Sequence, residues 1–365
     1  MRPAFDDEPR SVAIVRLRTG LGDLLCTVPA LRALRRRLPR ARVALVTFTE
    51  MAPVVERMRP WVDELLAFPG HRGIPERPPR NADVAPFLAR ARAARFDMAL
   101  QMYGACAAAL EVTGALGARR IGGFAAPGMR LLDPATWIAY PEDEHEIRRH
   151  LRLMRHLGAE PQSERLEFPV GARDRRAAAR LAASAGLRPP YALVHAGATS
   201  PSRRWPAARF AAVADALVAR GMEVALIGTR DERGIVARVA AAMRRPCVDL
   251  CDRTDLGTVA ALIDGAVLVV GNDSGPAHLA AALRTPSVTI FLSGDPVRWA
   301  HDPAHHPIVR ADVGCSPCPH LSCPIDHRCA RRVTVEAVLD AADRLLARPR
   351  TMPPWFSTSA VGAST

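Results

Sequence analysis

Short apolar runs alternate along the chain with longer stretches in which apolar residues recur every third or fourth position. The first pattern predicts buried parallel strands and the second amphipathic helices. Residues 11–17 read as a strand and 18–23 as a glycine-containing turn. A helix follows, with Leu24, Val28, Leu31, Leu34 and Leu38 on its apolar face and Arg32, Arg35, Arg36 and Arg37 opposite. Pro29 disturbs its early turns and Pro39 stops it. Residues 41–47 are the next strand. Strand, glycine-rich turn, helix and strand are the opening of a doubly wound sheet.

The pattern weakens over the next hundred or so positions. Strands are predicted at 63–68, 96–102 and 119–122, and helices at 86–95, 103–116 and 145–158; residues 127–143 give no pattern. Proline, glycine and charge gather near 169–174, where a domain boundary is placed. A second series then runs: helix 173–186, strand 191–195, loop 196–205, helix 206–220, strand 223–227, helix 231–244, strand 247–250, helix 256–264, strand 266–270, a turn and helix, and strand 287–292. Pro206 suits the first position of its helix, where a missing N–H costs nothing. The expected architecture is α/β: two Rossmann-like doubly wound domains, 1–170 and 171–330, facing across a cleft. A C-terminal helix within 331–348 and a disordered Pro/Ser/Thr/Ala-rich tail, 349–365, complete it.

Composition adds constraints. The 365 residues are 49% hydrophobic but only 5% aromatic, which suits a core of Ala, Leu and Val packed by helices. Fifty Lys and Arg against 37 Asp and Glu leave a net charge of +13. That excess fits a solvated arginine surface or an acidic partner. Residues 1–10 are charged and lack the apolar core of a signal peptide, and no stretch is long and apolar enough to span a membrane. A cytoplasmic protein is therefore expected, with its eight cysteines reduced or metal-bound.

The turn after strand 266–270 reads Gly271-Asn272-Asp273-Ser274-Gly275-Pro276, and a helix starts there. A helix N-terminus offers unpaired N–H groups and the positive end of a dipole, a seat for phosphate. Gly20 and Gly22 stand at the matching turn of the first domain, before Asp23. By spacing alone Asp23 is either a helix cap or a reactive carboxylate. Thr199 and Ser200 carry hydroxyls that suit phosphate or sugar oxygens but are also common turn formers. Glu232, after the Gly228-Thr229 turn, is placed either to bind a ribose hydroxyl or to serve a helix dipole. Cys315, Cys318, Cys323 and Cys329 form C-x2-C-x4-C-x5-C, which could hold a structural Zn²⁺; reduced thiols or a disulfide are the other reading. Gly20-Leu21-Gly22 lacks the third glycine of the dinucleotide fingerprint, which argues against a Rossmann oxidoreductase.

Four segments together resemble glycosyltransferase family 9, the ADP-heptose:lipopolysaccharide heptosyltransferases. They are the stretch from Gly22-Asp23-Leu24 to Leu34, His195-Ala196-Gly197 to Arg203-Arg204-Trp205-Pro206, Gly271-Asn272-Asp273-Ser274 to Ala282, and the cysteine segment from Cys315 to Cys329. The resemblance implies a GT-B enzyme that inverts the anomeric centre and needs no cofactor for catalysis. It implies that Asp23 is the general base. It also implies that Arg203, where the family usually has Lys, neutralises the leaving diphosphate with Arg204 nearby. The Ser274 and Gly275 N–H groups would hold that diphosphate, Asp273 would bind sugar hydroxyls, and His278 would face the same pocket. The implied partners are an ADP-sugar, with heptose as its sugar, and a glycan or glycolipid acceptor. An anionic acceptor or a peripheral membrane contact would suit the basic charge. The alternative is a basic nucleotide- or nucleic-acid-binding protein with a four-cysteine zinc knuckle. Against it, no aromatic residues interleave with the arginine runs.

Overall fold

The computed structural model describes residues 4–129 and 133–348. The predicted tail, 349–365, lies outside the described residues. The chain divides into two compact units, Met1–Pro169 and Val170–Thr365. Each is a six-stranded parallel sheet flanked by helices.

The sheet of the first unit comprises β1 (Ser11–Val15), β2 (Arg42–Thr47), β3 (Glu64–Ala67), β4 (Met98–Gln101), β5 (Arg120–Ala125) and β6 (Trp137–Ala139), in the order β3-β2-β1-β4-β5-β6. Val12 sits opposite Val43 on one side and Met98 on the other. Such strands are buried on both faces, which is why they read as continuous apolar runs rather than alternating ones. The second unit holds β7 (Tyr191–His195), β8 (Glu223–Leu226), β9 (Val248–Asp249), β10 (Leu268–Asn272), β11 (Ser287–Ile290) and β12 (Ile308–Val309), in the order β12-β11-β10-β7-β8-β9. Both sheets therefore have the Rossmann order. In each, the chain reverses direction across the sheet beside its first strand. That switch point, at the carboxyl ends of β1 and β4 or of β7 and β10, is where open α/β sheets bind ligands.

Several local expectations are corrected. The helix expected to run on from Leu24 is two: α1 (Leu21–Leu25) and α2 (Val28–Arg37). Pro29 cannot donate to a carbonyl one turn back, so the chain tightens at Cys26 and Thr27. There the Thr27 hydroxyl donates to the Asp23 carbonyl at 3.0 Å. The helix expected from residue 103 begins only at Ala107. The Gln101 side chain holds 103–104 as a loop: its Oε1 accepts from the Tyr103 and Gly104 N–H groups, and its Nε2 donates to the Gly104 carbonyl. Pro206 occupies the cap of its helix, Ala207–Ala219, rather than the first turn. Strands β6 and β12 are two or three residues long at sheet edges, too short for any periodicity to reveal.

Helix α3 (Glu146–Leu157) packs on α2, burying Ile147, Leu151, Leu153, Met154 and Leu157. In the second unit α4 (Gly275–Leu283) follows β10 directly. The last helix, α5 (Val335–Leu346), is capped by Thr334. It lays Val338, Ala341, Ala342 and Leu345 on the core of that unit, beside β10, β11 and the helix Ala207–Ala219.

Candidate active site

In the first unit, Asp23 is the third residue of α1, whose cap is Gly20. Asp23 is thus not the capping residue that spacing allowed. Gly22 lies inside the helix rather than in a loop. Gly20 has a φ of −81°, so it is not needed for a left-handed backbone. It is needed for space: a Cβ there would overlap the Asp23 carboxylate, which folds back over it. The space left by the glycine is filled by this carboxylate.

Two arginines from the end of β1 bracket Asp23. Arg16 is fully buried; its Nη2 donates to Glu146 Oε1 at 2.7 Å and to the Asp23 carbonyl at 3.2 Å, and lies 3.5 Å from Asp23 Oδ1. Its Nη1 donates to the Met102 carbonyl after β4. Glu146, also buried, is shared with Arg149 at 3.0 Å and His150 at 3.4 Å. Arg18 lies 3.9 Å from Asp23, pairs with Glu76 at 2.7 Å, and stacks over the Tyr103 ring at 4.0 Å. Burial opposes the Arg18 charge, but Asp23, Tyr103 and Glu76 outweigh it and raise its pKa. Burial, aided by Glu76, pushes the Tyr103 phenol up and keeps it protonated. Asp23 itself is 23% exposed. It is a carboxylate reachable from solvent and bracketed by the buried Arg16 and the partly exposed Arg18.

In the second unit, one buried side chain ties the two switch-point loops together. Asn272 donates from Nδ2 to the Ala196 and Gly197 carbonyls and accepts from the Trp205 N–H at 3.1 Å. Trp205, fully buried, donates its indole N–H to the Val333 carbonyl. Arg204 donates from Nε to the Ala198 carbonyl at 2.9 Å, so it braces the loop that carries its neighbour. Arg203 is 38% exposed and reaches Asp273 Oδ2 at 3.4 Å. Asp273 is buried, and its carboxylate occupies the space that a Cβ on Gly294 would need. Thr199 is exposed and Ser200 half-buried in the same loop.

Ser274 is the cap residue of α4, but its side chain does not cap the helix. Its hydroxyl lies 3.2 Å from His195 Nδ1 and 3.1 Å from the Asn272 carbonyl. His195 reaches Glu232 Oε2 with Nε2, also at 3.2 Å. Glu232 Oε2 accepts the Thr229 N–H and hydroxyl as well. Burial works against the Glu232 charge, but the His195 and Thr229 hydrogen bonds prevail and hold its pKa at about 2.

His278 lies in the body of α4. Its Nδ1 meets His301 Nε2 at 2.9 Å, and its ring packs edge-on to Trp299. With Asp273 it lines a water-sized cavity of about 10 Å³ that His301 and His306 also border. Burial, with His305 nearby, pulls His306 down to about 4, so it is neutral at ordinary pH.

The four C-terminal cysteines are free thiols, and among the described residues no three His, Cys, Asp or Glu side chains form a metal-holding group. Cys329 is buried and Cys315 exposed, and burial, with Cys315, Cys323 and Cys318 nearby, pushes the Cys329 thiol up. Among the described residues no helix is long and apolar enough to cross a membrane.

Arg203 and Asp273 thus meet, Asp273 and His278 share a cavity, and Glu232 and Ser274 meet through His195. Asp23, Gly20 and Gly22 belong to the other unit. Sequence reasoning passed over His195, Asn272, Arg16 and Glu146 as individual site residues. A signal for the first two existed: each ends a strand at a switch point.

Comparison with known proteins completes the picture. The sequence profile of "Glycosyltransferase family 9 (heptosyltransferase)" matches residues 86–328. Lipopolysaccharide heptosyltransferase 3 of Escherichia coli (strain K12) is 25% identical over 343 residues, 91% of this chain and 95% of that one. A family 9 glycosyl transferase from Veillonella parvula DSM 2008 superposes with a TM-score of 0.78 at 21% identity, covering 93% of this chain and 97% of that one. The E. coli heptosyltransferase WaaC with ADP gives 0.64 at 19% identity, covering 92% and 99%. The fold is GT-B, with two Rossmann-like domains. With a family profile matched over more than half its length, the chain belongs to glycosyltransferase family 9.

Proposed function

We propose that this glycosyltransferase moves a heptosyl group from an ADP-heptose to a hydroxyl of a lipopolysaccharide-type glycolipid, with inversion at the anomeric carbon. The observation that carries the donor half is the paired loops after β7 and β10. They set a helix N-terminus, the partly exposed Arg203 guanidinium and the Asp273 carboxylate at one switch point. The names of relatives supply the sugar and the acceptor: a lipopolysaccharide heptosyltransferase in E. coli, and a heptosyltransferase holding ADP.

In this reading the acceptor O–H loses its proton to Asp23. The oxygen attacks the anomeric carbon while the bond from that carbon to the β-phosphate oxygen breaks. The electron pair leaves with ADP. Arg203 and the Ser274 and Gly275 N–H groups meet the charge that grows on the diphosphate, and Asp273 keeps Arg203 aimed. Thr199 and Ser200 line the same loop, and Glu232 takes the ribose hydroxyls. The arrangement calls on no cofactor. The net charge of +13 suits an anionic acceptor at the inner face of a membrane.

The test is Asp23→Asn. Transfer should fall by about two to four orders of magnitude, the usual worth of a general base. ADP affinity and melting temperature should stay at wild-type values. Turnover near wild type would remove Asp23 from the mechanism.

A further inference from the structure

His195 is 5% exposed and has both ring nitrogens engaged, one with Glu232 Oε2 and one with Ser274 Oγ. The surroundings are shaped for it. Gly271 pairs with it in register on β10, and a Cβ at Gly271 would come within 3.0 Å of the His195 carbonyl oxygen. Glu232 concentrates three donors on Oε2. Its Oε1 is turned toward Gly197, where a Cβ would overlap it, and takes no hydrogen bond among the described residues. Oε1 is thus an acceptor held out for a ligand hydroxyl. The ring also governs Ser274. A neutral ring that donates from Nε2 to Glu232 accepts the Ser274 proton at Nδ1. A protonated ring donates from both nitrogens and turns the Ser274 proton toward the Asn272 carbonyl or an incoming phosphate oxygen.

We propose that His195 is a positioning residue for the nucleotide: it holds the Glu232 carboxylate and the Ser274 hydroxyl in one arrangement, so that the vicinal hydroxyls and the diphosphate of the ligand are bound as a coupled pair. This rests on the ADP-sugar reading above.

Calorimetry on the full chain tests it, with ADP and adenosine as probes. His195→Phe keeps the ring and removes both contacts. ADP should bind about tenfold more weakly, the usual cost of a lost hydrogen bond to a charged group. Glu232→Gln should then cost little more in that background, although it is costly alone. His195→Gln retains a donor near the Nε2 position and should spare adenosine binding. His195→Asn retains one near Nδ1 and should spare the advantage of ADP over adenosine. A folded His195→Phe that binds ADP as tightly as wild type overturns the proposal. So do His195→Phe and Glu232→Gln effects that simply multiply. Should His195→Phe not fold, Glu232→Gln and Ser274→Ala carry the test: their effects on ADP multiply only if His195 does not couple them. Wild-type protein that fails to bind ADP overturns the donor reading and this inference with it. Wild-type binding with an indifferent His195 overturns this inference alone.

Discussion

A missing Cβ decides where the Asp23 carboxylate can lie. Gly20→Ala would drive a methyl group into it and turn it away from Arg16 and Arg18. Transfer should drop at least about tenfold, since small misplacements of a reacting group are costly. ADP affinity should be unchanged, and steady-state kinetics with a binding titration would separate the two. Glu232 carries a prediction in pH. Its folded pKa of about 2 lies below the ordinary 4.5, so its charge stabilises the fold above the ordinary value. That contribution fades as pH falls from about 4.5 toward 2. Glu232→Gln should therefore melt below wild type at neutral pH, with the gap closing in acid; a gap that is constant across that range would refute it. Residue chemistry of this kind was half legible. Asp23 and Glu232 stood out because acids follow glycine turns. Arg16 did not, because its partner Glu146 lies 130 residues away and nothing local marks either.

At the scale of elements, parallel strands announced themselves as apolar runs, and so the α/β class was readable. What the pattern missed were places where one side chain overrides it. Gln101 holds a loop that small residues made look helical. Asn272 does the same for the loop from Ala196 to Trp205, whose proline and arginines give no hint of order. Asn272→Ala orphans the Trp205 N–H and two carbonyls in a dry setting. Stability should fall by about 3 kcal/mol, at roughly 1–3 kcal/mol per orphaned buried group with partial relaxation. Denaturant unfolding would measure it. Arg203 would lose its footing as well, so ADP binding should weaken even where the protein remains folded.

At the scale of the molecule, two sheets with the same strand order would do different work in the proposed mechanism. The first unit carries a carboxylate bracketed by Arg16 and Arg18, and the second a helix end and Arg203. Composition could not show this division, because arginine is abundant in both units and some of it is tied up in ion pairs within its own unit, as in Arg35–Asp63 and Arg220–Asp343. Such exposed pairs add little stability, so the arginine excess should matter for partners more than for folding. The division predicts a separable response to the nucleotide. ADP at about a hundred times its dissociation constant should stabilise the states that bind it by about 2.7 kcal/mol. By hydrogen exchange, protection should concentrate in the loop 196–205, in the turn 228–232 and at the start of α4. Peptides around Asp23 and Gln101 should exchange at their unliganded rates. Protection confined to the first unit would assign the nucleotide to the wrong sheet and dissolve the proposed roles of Arg203, Ser274 and Glu232 together.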